Sequence, residues 1–327
     1  AALHGQPSSG GSGESLPAWE EGLLLSPELL QSFLRDPVKC FFTRRLKVHL
    51  DEEVQARLDS EPFTLDGLER YQLQDNLLKS ALARDGDAQT ALFSAANRLQ
   101  RSGVLPLAGF GEYYRTTLLE PLPAQLQRYE SLCQLWSVPV ESPRQLSFCA
   151  ADVQLEGWLG GLRQKADGSL ARLELSPGTL AKKGIWKWHR LLRPFVLHVV
   201  AAACGVPITT LLVGEDQALT FDPLPSEHAS RILVNWLQGW SAGMQALLPV
   251  ALKTSMAWLQ EQSDDKARTA YEGGYNFTGE AASSASLARQ FPDYTRLTAD
   301  GQFPKWSERL YQPLLESNPA TIKEDLA

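Results

Sequence analysis

Apolar positions recur at helical spacing over most of the chain, and the period shortens to two in one central stretch. In LSPELLQSFLRDPVKCFF, Leu29, Leu30, Phe33 and Leu34 form one stripe, Ser26 predicts the N-cap, Pro27 the first helical position and Pro37 the end. From about Leu65 to Trp136 the pattern stays helical through LDGLERYQLQDNLLKSAL, AQTALFSAANRL and YRTTLLEPLPAQLQRYESLCQLW. Pro121 and Pro123 are predicted to break the last of these. QLSFCAADVQLEGWLGGLRQ and SLARLEL then alternate every second residue around a turn at Ala166-Asp167-Gly168, which predicts antiparallel strands. A long helix follows through WKWHRLLRPFVLHVVAAAC, irregular at Pro194, and then two strands, VPITTLLVG and QALTFDPL. The remainder reads as helical, with Ser226 as a cap and Ile232, Leu233, Trp236, Leu237 and Trp240 on one face. No internal repeat is visible. This succession predicts a mixed α/β (α+β) domain, a small sheet with large helical additions.

Composition narrows the class. With 327 residues, 43% of them hydrophobic, the chain can bury one large core or two modest ones. A formal charge of −7 argues against wholesale wrapping of nucleic acid and leaves room for a local basic patch. Cys40, Cys133, Cys149 and Cys204 lie far apart with no CxxC pair, so the spacing suggests neither a metal site nor a disulfide framework. Reduced thiols of a cytoplasmic protein are expected. No apolar run reaches the roughly 18 to 20 residues that span a bilayer. The start lacks the basic and apolar regions of a signal peptide and an initiator methionine, which suggests a fragment. The glycine- and serine-rich run from about His4 to Ser15 reads as a tether. Residues 1–22 are thus expected to be a flexible extension and 23–327 the folded domain.

The candidate chemistry centres on DGSLARLELSPG, residues 167 to 178. Metal-dependent nucleases hold Mg²⁺ between carboxylates on adjacent strands, and a lysine two residues after the second acid shares its face. Here Glu174 stands on the acid and Ser176 on the lysine. In LEGWLGG the first acid's place holds Gly160. Glycine offers no side-chain ligand, serine no positive charge, and one carboxylate is a poor Mg²⁺ site, so the chemistry predicts inactivity and no cofactor. Read blandly, Glu174 is a partly buried acid paired with Arg172 or Arg163.

Other segments extend the pattern. LSPELLQSFLRDPVKCFFTRRLKV resembles the opening helix of the RecB/AddB nuclease family. LDGLERYQLQDNLLKSAL resembles that family's helix with a catalytic histidine, Asp75 standing in its place. RPFVLHVVAAA resembles its later helix, without the glutamine and tyrosine. Almost the whole chain from Leu23 onward resembles the C-terminal region of the RecC family, the gamma subunits of exodeoxyribonuclease V, most characteristically in KKGIWKWHRLLRPFVLHVVAAACG, AYEGGYNFTGE and FPKWSERLYQPLL. The resemblance implies a PD-(D/E)XK nuclease-like core without nuclease function. It implies RecB and RecD as partners in the RecBCD machine, and a role in parting duplex DNA and guiding the unwound strands during repair and recombination.

Contact surfaces follow from charge. Lys182, Lys183, Lys187, His189, Arg190 and Arg193 crowd together with Trp186 and Trp188, and Arg44, Arg45 and Lys47 follow the first helix. Cations neutralise phosphates and exposed rings stack on bases, whereas buried indoles only anchor a helix. Residues 163–168 offer a projecting hairpin, and 262–294 an interface with aromatic residues or a polar helix with a glycine break. Two rival readings differ in class. In one, a live nuclease uses Glu174 with Asp152 or Glu156 and Lys182 or Lys183. In the other, a protein-interaction module never touches DNA.

Overall fold

The computed structural model describes residues 16–50, 67–83, 87–102, 109–275 and 277–322, so the expected tether lies outside the described residues. The fold divides into two compact units. The described residues within 1–50, 149–155 and 234–311 form the first, and those within 51–148, 156–233 and 312–327 the second.

In chain order, β1 (Leu24–Leu25), α1 (Pro27–Arg35) and α2 (Pro37–Cys40) come first. Helices α3 (Gly67–Leu82), α4 (Ala88–Arg101), α5 (Gly109–Leu119) and α6 (Leu122–Leu135) follow. The strands β2 (Val138–Val140), β3 (Arg144–Ala150), β4 (Val153–Leu159), β5 (Leu162–Gln164), β6 (Leu170–Leu175), β7 (Ala181–Lys182) and β8 (Ile185–Trp186) lead into α7 (Trp188–Ala203). Then come β9 (Thr209–Val213), β10 (Ala218–Phe221), α8 (Ser226–Gln245), α9 (Leu252–Glu261), α10 (Asp264–Glu272), β11 (Gly273–Gly274) and β12 (Phe277–Thr278). Helices α11 (Ala285–Gln290), α12 (Tyr294–Thr298), α13 (Phe303–Glu316) and strand β13 (Ala320–Ile322) complete the described chain.

The second unit is built on a six-stranded sheet ordered β13-β10-β9-β6-β5-β2. Only β6 and β9 run parallel, with Glu174 opposite Leu212, and α7 is the crossover between them. Alternation assigns the two faces. Ala171, Leu173, Leu211, Val213 and Ala218 pack against Leu132 and Trp136, so α6 covers one side. Thr210 faces the other side, where its hydroxyl meets Nδ1 of His198 on α7 at 3.0 Å. Phe195 of α7 lies 5.5 Å from Phe221. Each fully buried apolar side chain of α7, such as Leu191, Phe195 or Val199, contributes about 1.5–3 kcal/mol by leaving water. Helices α3, α4, α5 and α6 close a second cluster around Leu78, Leu92, Leu122 and Leu126.

The expected turn between β5 and β6 is present. Asp167 accepts a hydrogen bond from Ser169 N at 2.8 Å, and Gly168 has φ 86°. Pro121 separates α5 from α6. Two expectations fail. The tail is not wholly helical, because β11 pairs with β12 and β13 closes the edge of the main sheet against β10. The run through LEGWLGGLRQ is not one strand. It breaks at Gly160-Gly161, where Gly161 takes φ 68°, so β4 lies in a three-stranded sheet ordered β1-β4-β3 while β5 belongs to the main sheet.

The first unit is mostly helical. Ser26 caps α1 by accepting from Leu29 N at 3.2 Å, and Asp36 caps α2 from Lys39 N at 2.8 Å. Its core gathers Val38, Ala251, Tyr271, Phe291, Tyr294 and Phe303. Buried Glu280 accepts from Lys253 N, Thr254 N and Thr254 Oγ1 at 2.9, 2.8 and 2.9 Å. It thereby serves the start of α9, whose own N-cap, Ala251, has no side-chain acceptor.

Candidate functional site

The side chains of β6 alternate, so Arg172, Glu174 and, just beyond the strand, Ser176 share one side of the sheet. Within the second unit a cavity of about 250 Å³ opens beside them. It is lined by Tyr71, Asp75 and Lys79 of α3, by Glu174 and Ser176, and by Arg190 and Arg193 of α7. Three of the four positions compared above with the nuclease pattern, Asp75, Glu174 and Ser176, therefore meet. The fourth does not: Gly160 is exposed at the end of β4, outside the cavity lining, because the chain turns between two sheets there.

Each carboxylate in the cavity carries a cation. Asp75 pairs with Lys79 at 2.5 Å, four residues on along α3. Glu174 pairs with Nη1 of Arg172, the bland alternative raised by the sequence; the two side chains are only 16% and 22% exposed. Burial, and after it the charge of Arg193, pushes the Arg172 guanidinium down to about 10. Arg163, the other expected partner, instead donates to the carbonyls of Trp136 at 2.5 Å and Ser137 at 3.1 Å.

The end of β6 is held rigidly. Ser176 is 8% exposed, and its N–H donates to the Val213 carbonyl at 2.9 Å. Fully buried Gln125 donates to the carbonyls of Ser176 and Val213 at 2.9 and 2.8 Å, a clamp that sequence reading missed. Arg190 donates to the Pro177 carbonyl, and its guanidinium lies 5.4 Å from the Tyr71 ring centroid. Gly178 allows this: it has φ 81°, and a Cβ there would sit 2.6 Å from Arg190 Nη1. Tyr71 and Lys79 were missed as well, although Tyr71, Asp75 and Lys79 fall at successive four-residue steps on one helix face.

The basic run divides by environment. Lys182 and Lys183 are exposed on the β7–β8 hairpin, whose turn holds Lys183 at φ 52° and Gly184 at φ 78°, the pairing of a type I′ turn. Lys187 donates to Thr179 Oγ1, and burial, then Arg190, lowers its pKa. Trp188 is buried and Trp186 and His189 half-buried, so the indoles mainly anchor. In the first unit Arg45 donates to the Pro17 carbonyl at 2.9 Å, Lys47 lies over Trp19 at 5.6 Å, and Arg44 is exposed. The expected projecting loop at 163–168 is tied down by Arg163 and by Lys165 over Trp136 at 4.2 Å. In the segment 262–294, Tyr275 is fully exposed and Phe277 half exposed beside a hairpin rather than a broken helix.

Among the described residues no three His, Cys, Asp or Glu side chains come together to hold a metal, and neither Asp152 nor Glu156 lines the cavity beside Glu174. All four cysteines are free, and no described helix is long and apolar enough to cross a membrane.

The chain is 32% identical over 271 residues to the RecBCD enzyme subunit RecC of Escherichia coli (strain K12), covering 77% of this chain and 22% of that protein. It is 37% identical over 87 residues to the same subunit of Haemophilus influenzae, covering 27% of this chain and 7% of that one. The aligned part is thus about a fifth of the Escherichia coli relative's length. A solved structure titled "Crystal structure of SSO0001" covers 53% of this chain and is itself 86% covered, at 12% identity and a TM-score of 0.25, too slight a likeness to inform the fold. The family model of the RecC C-terminal domain matches residues 24–263. On that match, and on the identity to RecC across most of its length, the chain belongs to the RecC C-terminal domain family.

Proposed function

We propose that the second unit is a PD-(D/E)XK nuclease-like core without catalysis. In this reading the chain is a scaffold within the RecBCD helicase-nuclease, in the cytoplasm, docking RecB and RecD and helping to part duplex DNA and guide its strands. The supporting observation is the cavity where Asp75, Glu174 and Ser176 meet, with both carboxylates in ion pairs. A two-metal hydrolase needs acids whose charge is offset by the metals themselves, near 2.0–2.1 Å for Mg²⁺. Here protein cations occupy that role, and the acid expected from the preceding strand is absent. Strand guidance falls to exposed cations, first Lys182 and Lys183 on their hairpin, then Arg44, with Lys187, Arg190 and Arg45 serving packing as much as contact.

The test is a cleavage assay of duplex and single-stranded DNA with Mg²⁺ or Mn²⁺, beside co-purification with RecB and RecD. No cleavage and stable association are expected. Metal-dependent cleavage lost in Glu174→Ala would overturn the reading. In the assembled complex, Lys182→Ala with Lys183→Ala should weaken DNA binding and flatten its salt dependence by up to about 2 log units per log unit of salt.

A further inference from the structure

We propose that the cavity between α3, β6 and α7 binds a phosphoryl anion where a nuclease of this layout would hold a cation. The inference deepens the preceding reading and rests on it for the cavity's place in a strand-guiding protein. Its local support is the charge balance of the lining. Lys79, Arg190 and Arg193 face Asp75 and Glu174, three cations to two carboxylates, and Arg172 behind Glu174 makes four to two. The two acids are held by Lys79 and Arg172, so neither meets an incoming anion alone.

The donors suit an oxyanion. Arg190 and Arg193 lie three residues apart on one face of α7, and guanidinium forks match the spacing of phosphoryl oxygens. Arg190 is already fixed in direction by the Pro177 carbonyl and the Tyr71 ring, both neutral partners, so its charge is oriented without being cancelled. Ser176, where the nuclease pattern has lysine, belongs to the lining and adds no charge to it. About 250 Å³ corresponds to roughly eight water volumes, more than a phosphoryl group requires. The depressed pKa of Arg172, caused by burial and then by Arg193, is consistent with the same positive field.

The shared ligand chemistry is a phosphoryl group, carried either by a DNA strand or by free phosphate. Calorimetry on the 327-residue chain with inorganic phosphate tests it. Saturable binding is expected, weakened about tenfold or more in Arg193→Gln, largely kept in Arg193→Lys, and unchanged in Lys305→Gln at an exposed position of α13 in the first unit. Asp75→Asn, a change at a half-exposed helix position, should tighten binding about fivefold and carries the test if Arg193→Gln fails to fold. Competition by an oligothymidine identifies the strand backbone as the source, and its absence identifies free phosphate; either supports the site. No saturable phosphate binding, or binding that neither Arg193→Gln nor Asp75→Asn alters, overturns it. That failure alone leaves the non-catalytic reading intact, whereas Mn²⁺ binding abolished by Glu174→Ala removes both.

Discussion

Glu174→Ala separates two physical roles for the acid on β6. As a counter-ion, Glu174 compensates an Arg172 guanidinium that is 22% exposed and lies in the field of Arg193. Breaking a fully buried pair by removing one partner costs about 3–5 kcal/mol, because a charge is left without compensation. Residual exposure of both side chains lets water recover part of that, so a loss of about 2–3 kcal/mol is expected. As a vestigial metal ligand among like charges, the same acid would repel its neighbours, and its removal would stabilise the metal-free protein. Urea unfolding of the wild type, Glu174→Ala, Arg172→Ala and the double variant reads the difference. The counter-ion role predicts a coupling energy above about 1 kcal/mol, shrinking in high salt, and a double variant less damaged than the sum of the singles. A Glu174→Ala protein as stable as wild type, at unchanged denaturant slope, refutes the pairing argument.

Other consequences concern pH and the clamp on β6. His198 donates from Nε2 to the Asp222 carbonyl and accepts at Nδ1 from Thr210, and burial holds its pKa down to about 4, below the ordinary 6.5. The folded state therefore binds the proton less readily than the unfolded chain. This stabilisation is full above pH 6.5, falls as pH drops towards 4, and totals about 3 kcal/mol; pH-dependent unfolding of the wild type against His198→Asn should show it. Glu280 has the opposite sign. Burial raises its pKa despite hydrogen bonds from Lys253 and Thr254, so its contribution is greatest below the unfolded carboxyl range and is lost as pH rises through the folded value. Relative to Glu280→Gln, the wild type should lose stability as pH rises above the unfolded carboxyl range, and a flat difference would contradict this. Gln125→Leu should cost about 1–3 kcal/mol by leaving the Ser176 carbonyl without its donor, with a lower melting temperature as the readout.

Much of the fold was legible because its longer elements have clear periods. The switch from helical spacing to alternation located β3 through β6, and Asp167-Gly168 located the turn. What escaped were strands of two or three residues, β1, β2, β7, β8, β11, β12 and β13, too short to show any period and defined only by their partners. The break between β4 and β5 was present as Gly160-Gly161, but a glycine pair also fits a continuous strand, so only the positive φ of Gly161 resolves it. The site shows a similar division. Arg172 and Glu174 share a face by alternation, so their pairing was readable, whereas nothing local sends Arg163 to the carbonyls at Trp136 and Ser137. The four-residue steps of Tyr71, Asp75 and Lys79 mark one face of α3, and only the tertiary fold brings that face to the end of β6.

On the proposed nuclease-like reading, a serine rather than a lysine at 176 has a physical reason. The cavity holds Arg190 and Arg193, with Arg172 close behind Glu174. A lysine at an 8% exposed position there would lose hydration and meet several like charges, and both effects disfavour its charged form. In a metal site that crowding is offset by carboxylates, but here one carboxylate is committed to Arg172 and the other to Lys79. Restoring the lysine alone would therefore add repulsion without adding a ligand. Gly160 could not supply the missing acid either, since it lies outside the cavity lining. These positions are thus electrostatically interdependent: with Arg172 and Arg190 in place, a neutral residue at 176 is the compatible choice, and building a cation site would require changing the balance on three elements at once.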